Sequence, residues 1–215
     1  QILGNCFVLQ IVVSFILTAV LLIWSEDILL AFGASENTIS YAVDYMHIYA
    51  IGTLFVQLTL GINAFITAQG FTTTSMVSVL IGAICNITLD PIFIFGFHMG
   101  VKGAALATVL SQAVSTIWVI FFLCGKKTQL HLRKKYMHLE AKIIIPCVTL
   151  GLATFIMQAS ESVVTVCFNS SLLRYGGDIA VGAMTILISV MQFAMLPLQG
   201  IAQGSQHISS YNYGN

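Results

Sequence analysis

The chain has 215 residues, of which 58% are hydrophobic and only 7% charged, with a formal net charge of zero. So few charges cannot solubilise a globule of this size, and the balance excludes a soluble domain. The composition predicts an all-α membrane protein, a polytopic bundle of six transmembrane helices in a lipid bilayer, with no nucleic-acid partner.

Residues 6–24 form an apolar run long enough to cross about 30 Å of hydrocarbon, and Trp24 stands where an interfacial anchor belongs. Residues 25–38 carry Glu26, Asp27 and Glu36 around a short apolar patch and no Lys or Arg, which predicts an extramembrane connector with one interfacial turn. A second helix is expected over 39–69, interrupted by Asp44, His47, Gln57 and Asn63 and ended by Gly70. Those polar residues should face protein or water, with Asp44 acting as a cap near the helix start.

Thr72, Thr73, Thr74 and Ser75 offer side-chain caps for a third helix. Its apolar run, 76–97, contains Asn86-Ile87-Thr88-Leu89-Asp90-Pro91. An Asp at the centre of a membrane helix is penalised by about 2.5–3.5 kcal/mol, so it needs a reason. Asn86 lies four residues before Asp90 and shares its helical face. Pro91 cannot donate an N–H and its ring clashes with the Ile87 carbonyl, so a kink is expected where the polar pair sits. The functional reading is a site at which Asp90 exchanges a cation or proton; the structural alternative is a neutral Asp90 that Asn86 holds between helices.

A fourth helix, 101–124, spaces small residues by four: Gly103 and Ala107, Ala104 and Thr108, Ser111 and Ser115. That spacing lets helix backbones approach closely. Six of the eight basic residues follow (Lys126, Lys127, Arg133, Lys134, Lys135 and Lys142), and the positive-inside bias makes segment 125–142 cytoplasmic. A fifth helix over 143–171 tolerates Pro146 in its first turn and carries Gln158 and Glu161 on one face. Arg174-Tyr175-Gly176-Gly177 reads as a tight turn and Asp178 as the cap of a sixth helix, which runs to about Ser205 with a break at Pro197.

Gln57, Asn63, Gln112, Gln158 and Gln192 are candidates for lining a cavity, and interhelical hydrogen bonding explains each of them equally well. The five cysteines lie apart in apolar runs and the five histidines form no ligand set, so neither disulfides nor a zinc site is expected. The HExxH, GxSxG and paired-aspartate patterns of an intramembrane enzyme are missing. The chain opens at Gln1 directly into an apolar run, which reads as an internal piece of a longer protein.

Three motifs together resemble the multidrug and toxic compound extrusion family of transporters, in its bacterial branch. They are Asn86-x-x-x-Asp90-Pro91-x-Phe93-Ile94-Phe95-Gly96, then Gly100-Val101-x-Gly103-Ala104-Ala105-x-Ala107-Thr108-x-x-Ser111-Gln112, and Gly200-Ile201-Ala202-Gln203-Gly204-Ser205-Gln206 leading to Tyr211-Asn212-Tyr213-Gly214. The resemblance implies a twelve-helix, two-lobe plan of which this chain is helices three to eight. Residues 1–124 would be the last four helices of the first lobe, 125–142 the inter-lobe loop and 143–215 the first two helices of the second. It implies a secondary antiporter in the inner membrane that exports drugs or other amphiphilic and cationic compounds, driven by protons or sodium, with no other cofactor and monomeric at full length. By residue-wise match, Asn86 and Asp90 would form the first lobe's cation site with Thr108 beside them, and Glu161 would be the acidic residue of the seventh helix. The only metal implied is a sodium ion at Asp90. His207 stands where many relatives carry Pro. The rival readings are a flippase for lipid-linked saccharides and a non-transporting membrane scaffold.

Overall fold

The computed structural model describes residues 1–125, 128, 130 and 139–213, and for residues 207, 208, 210, 211 and 213 the backbone alone. The other basic residues of segment 125–142 therefore lie outside the described residues, Lys142 excepted, as does the His207 side chain. The described residues are helical almost throughout: α1 (Ile2–Ile23), α2 (Ser25–Ala31), α3 (Ile39–Ala68), α4 (Thr72–Pro91), a π-helical continuation (Ile92–Gly96), α5 (Val101–Cys124) and α6 (Ala141–Tyr213). They divide into two compact units, 1–162 and 163–215.

Among the described residues, five helices are long and apolar enough to cross a membrane. One of these, α6, is broken at Gly177, whose φ of 65° and ψ of −169° lie outside the helical region. The two arms, 141–176 and 178–213, bring the number of membrane-length helical segments to the expected six. The expected tight turn of four residues is thus reduced to one. Asp178 is the first residue after the break, at the start of the second arm where the sequence puts a helix start, and the backbone stays helical through Pro197.

In the first unit, α3 and α5 form the centre, with α1 and α4 packed against them. Leu3, Leu58, Ile62, Ile66, Val119 and Leu123 make the apolar core, at the end where α1 begins and α3 and α5 finish. Phe71 closes it, meeting Phe122 edge to face at 5.3 Å. Outward-facing side chains such as Phe15, Ile51, Ile87 and Phe121 are more than half exposed, as a lipid-facing surface requires.

Gly70 ends α3 as its sequence position suggests. Its φ is +86°, its N–H donates to the Thr67 carbonyl at 2.9 Å, and the Phe71 N–H donates to Ile66 at 3.2 Å. That pair of bonds is a Schellman motif, with Phe71 supplying the usual apolar contact. Because Phe71 is held there, it becomes the first boundary residue of α4, and the four hydroxyl residues after it fall inside the helix. No side chain caps α4, contrary to expectation. A second Schellman turn, at Gly33, stops α2 after two turns, so the connector holds a short helix where one interfacial turn was expected. Asp44 is no cap either: it lies beyond the first turn of α3 and pairs with Lys102 at 3.2 Å.

The small-residue face of α5 is buried against α4. A Cβ added at Gly103 would stand 2.9 Å from the carbonyl carbon and oxygen of Phe93, and one added at Gly82 would meet the Ser115 hydroxyl at 2.5 Å. Close approach leaves polar groups without water, and the hydroxyls on this face each find a carbonyl: Ser111 donates to Ala107 at 2.7 Å and Ser115 to Ser78 at 2.8 Å.

The second unit is helical and apolar, with Ile179, Phe193 and Ile201 exposed. Near its break the Arg174 guanidinium lies 5.7 Å from the centre of the Tyr175 ring. Thr185 and Ser189 turn their hydroxyls back onto Val181 and Thr185 of their own helix.

Candidate functional site

Along α4, Asn86 lies roughly 21 Å and Asp90 roughly 27 Å from Thr72 at 1.5 Å per residue. Asn86 therefore sits near the middle of a span, and Asp90 one turn nearer the π-helical end. Pro91 withholds the donor that the Ile87 carbonyl would need. The chain answers by changing helix type: from Ile92 to Gly96 it is π-helical, and the Phe97 N–H donates to Ile92, five residues back, at 2.9 Å. Such wider turns occur at functional positions in helices.

Asn86 is the hinge of the polar cluster. Its Nδ2 donates to Oδ1 of Asp90 at 3.4 Å and to Oγ1 of Thr108, on α5, at 3.4 Å. One amide has two N–H groups, so both bonds coexist. The Thr108 hydroxyl passes its own proton to the Ala104 carbonyl at 3.0 Å, which leaves its oxygen free to accept. Both bonds from Asn86 are long by hydrogen-bond standards, and Oδ2 of Asp90 has no partner among the described residues. The half-buried carboxylate keeps acceptor capacity for a further ligand.

Below this cluster, toward the end where α3 and α5 finish, lies a cavity of about 260 Å³. Thr59 and Asn63 of α3, Asn86 of α4, and Thr108, Ser111 and Gln112 of α5 supply its polar lining. The walls are tied together. Asn63 Nδ2 donates to Ser78 at 2.8 Å, and Thr59 and Thr116 share a hydrogen bond of 2.7 Å. The lining carries oxygen and amide groups and no Lys or Arg, which suits water, a proton or a small hard cation. Among the described residues no three His, Cys, Asp or Glu side chains gather into a metal site.

Of the sequence candidates, Asn86, Asp90 and Thr108 come together, and Asn63 and Gln112 line the adjoining cavity. Gln57 is half-buried on α3, outside that lining; Gln158, Glu161 and Gln192 are exposed along α6. Pro197 lies exposed on a helical backbone. Thr59 and Ser78 were not expected. Thr59 is four residues before Asn63 and so shares its face, the same signal that singled out Asn86 and Asp90.

Residues 1–92 match the MatE family model. The chain is 30% identical over 204 residues to the multidrug export protein MepA of Staphylococcus haemolyticus (strain JCSC1435), covering 95% of this chain and 45% of that protein. It is 27% identical over 203 residues to the MepA of Staphylococcus aureus (strain NCTC 8325 / PS 47), covering 94% and 45%. Among solved structures, the MATE multidrug transporter DinF-BH superposes with a TM-score of 0.91 at 36% identity, over 98% of this chain and 47% of that one. A MATE family transporter of the MOP superfamily in an inward-facing conformation shares the fold, with a TM-score of 0.85 at 23% identity over 97% of this chain and 48% of that one. The chain spans about half the length of these relatives.

Proposed function

Because the chain belongs to the multidrug and toxic compound extrusion family, we propose that it serves in a cation-coupled antiporter that exports amphiphilic or cationic compounds. Asp90 is the coupling group, taking up a proton or a sodium ion and releasing it on the other side of the membrane. The observation that carries this is the Asn86 amide, which joins Asp90 on its own helix to Thr108 on the next at the head of a polar cavity.

The chemistry follows from the donors. With Asp90 charged, one N–H of Asn86 and a bound cation share the carboxylate. With Asp90 protonated, its O–H no longer attracts a cation and its bond to Asn86 weakens. Asn86 is then oriented by Thr108 alone, so occupancy of Asp90 acts on the residue that links α4 to α5 beside the Pro91 break. Broken helices near charged side chains are where transporters place coupling ions. In this reading residues 1–124 belong to one lobe, 125–142 connect the lobes on the cytoplasmic face of the cell membrane, and 143–215 open the other. Glu161 is a second acidic site on that other lobe, and the complete protein works as a monomer. Gln57, Gln158 and Gln192 face the substrate path, and Pro197 gives the last helix a place to bend.

A flippase for lipid-linked saccharides would need cations for its phosphates, and the cavity lining offers none. The test is Asp90→Asn, expressed from the complete coding sequence and reconstituted in proteoliposomes. Export of a cationic dye against a proton or sodium gradient is expected to be lost while the protein remains folded. Thr108→Val should retain export and weaken its dependence on ion concentration. Full, ion-coupled export by Asp90→Asn would overturn the assignment.

A further inference from the structure

The chain enters α6 beside the start of α1, and carboxamides of the first unit hold it there. Gln69, at the end of α3, accepts the Thr128 hydroxyl at 2.7 Å and the Leu130 N–H at 3.1 Å on its side-chain oxygen. Asn5 is fully buried near the start of α1. Its Nδ2 donates to the Gln1 carbonyl at 3.2 Å, and its Oδ1 accepts the Glu140 N–H at 2.7 Å. The backbone that leads into α6 is therefore fixed to α1 one residue before the helix begins.

Both helices run away from that clamp. The Asn5 side chain points back toward the start of α1, as helical side chains do, so Glu140 lies below the level of Asn5. From Glu140 to Cys147 the chain then rises about 10 Å at 1.5 Å per residue, which brings Cys147 up beside Cys6, the neighbour of Asn5. The two thiols meet in a side-chain hydrogen bond. Both are partly buried, and both are free of any disulfide.

We propose that Cys6 and Cys147 form a reversible redox lock, closing to a disulfide when a hydroperoxide reaches this end of the protein. One thiol takes the terminal oxygen of the hydroperoxide and becomes a sulfenic acid, its proton passing to the departing alcohol. The other thiol attacks that sulfur, and its proton leaves with the hydroxyl as water. The pair thus gives up two electrons, and the hydroperoxide is reduced to alcohol and water. Thiols already in contact need only a small approach to reach the S–S length of about 2.0 Å. The effect on transport rests on the proposed function, in which Glu140 lies on the cytoplasmic face and Cys147 opens the lobe that α1 does not belong to. A reducing cytoplasm keeps both thiols free until oxidant accumulates, and a dithiol reopens the bond. Alternating access requires the lobes to part at each end in turn. A covalent link between α1 and α6 forbids that parting and stops export.

The complete protein in proteoliposomes is treated with cumene hydroperoxide, and its remaining thiols are capped with N-ethylmaleimide. After denaturation, trypsin cuts between the two cysteines, at sites that include Lys126, Lys127 and Arg133. Mass spectrometry without reductant should find the peptides of Cys6 and Cys147 joined, and dithiothreitol should part them. Dye export by the oxidised parent should fall to background and return with dithiothreitol. Cys6→Ser should export as the parent does, before and after oxidant. Asp90→Asn should form the same bond, so failure of the coupling assignment would leave this result readable. Separate peptides from the oxidised parent would overturn the proposal. So would undiminished export by fully bonded protein.

Discussion

Gly103→Ala is expected to loosen the contact between α5 and the π-helical turn, and its cost can be worked from the backbone. The added Cβ would lie 2.9 Å from the carbonyl carbon and oxygen of Phe93 and 3.0 Å from its Cβ. Carbon atoms are at ease at about 3.5–4.0 Å, so the two segments must part by roughly 0.5–1 Å. Main-chain atoms cannot rotate aside as a side-chain tip would. Overpacking of this kind costs about 1–3 kcal/mol. Phe93 follows Pro91 by two residues, so the displacement falls on the turn that carries Asp90 and lengthens bonds that already measure 3.4 Å. Stability is read from the midpoint of unfolding by SDS in mixed micelles. Gly96→Ala is the control, because it lies in the same π-helical turn with nothing within 4 Å of the new methyl group. It should stay within about 0.5 kcal/mol of the parent. Phe93→Ala should not rescue Gly103→Ala, since alanine keeps both the carbonyl and the Cβ. Equal stability of Gly103→Ala and Gly96→Ala would refute the close approach.

At Gly82 the obstacle is a side chain, so the outcome differs: Gly82→Ala meets the Ser115 hydroxyl at 2.5 Å. It should cost about 1–3 kcal/mol alone, and most of that should be recovered in a double variant with Ser115→Ala, as a double-mutant cycle will register. Ser115→Ala alone loses its 2.8 Å bond to the Ser78 carbonyl, a loss of about 0.6–1.7 kcal/mol for membrane hydrogen bonds. In the second unit, Gly177→Ala forces a side chain into φ 65°, ψ −169°, a region that is essentially glycine's alone. A penalty of about 1–3 kcal/mol is expected in the same unfolding measurement, with Gly182→Ala, open on all sides within 4 Å, unaffected.

The membrane class, the run of helices and the polar pair of α4 were legible because each rests on local pattern. Apolar length marks a span, a spacing of four puts Asn86 and Asp90 on one face, and small residues at that spacing mark α5 as a packing helix. The expected caps were not legible in the same way. Thr72 to Ser75 had the chemistry to cap α4, yet Phe71 took the boundary because its ring is held against Phe122. Asp44 had the position of a cap and found Lys102, 58 residues on, instead.

Glycine shows both sides of this division. Gly70 was readable as a helix stop because its conformational freedom is local. Gly177 was read as the end of a four-residue turn, and only the folded backbone shows that one residue suffices. The sequence by itself determined where chain must be helical and which polar groups could not face lipid, since hydrophobicity and helical period act within a few residues. The tertiary structure alone decided which of those groups meet. Thr108 reaches Asn86 across 22 residues because Gly103 lets α5 lie against the turn that continues α4 and Gly82 lets α4 lie against Ser115 of α5, and Thr59 and Asn63 complete the cavity wall from a third helix. Distances between helices are set by the side chains that are small enough to be ignored, and that sum is made only in three dimensions.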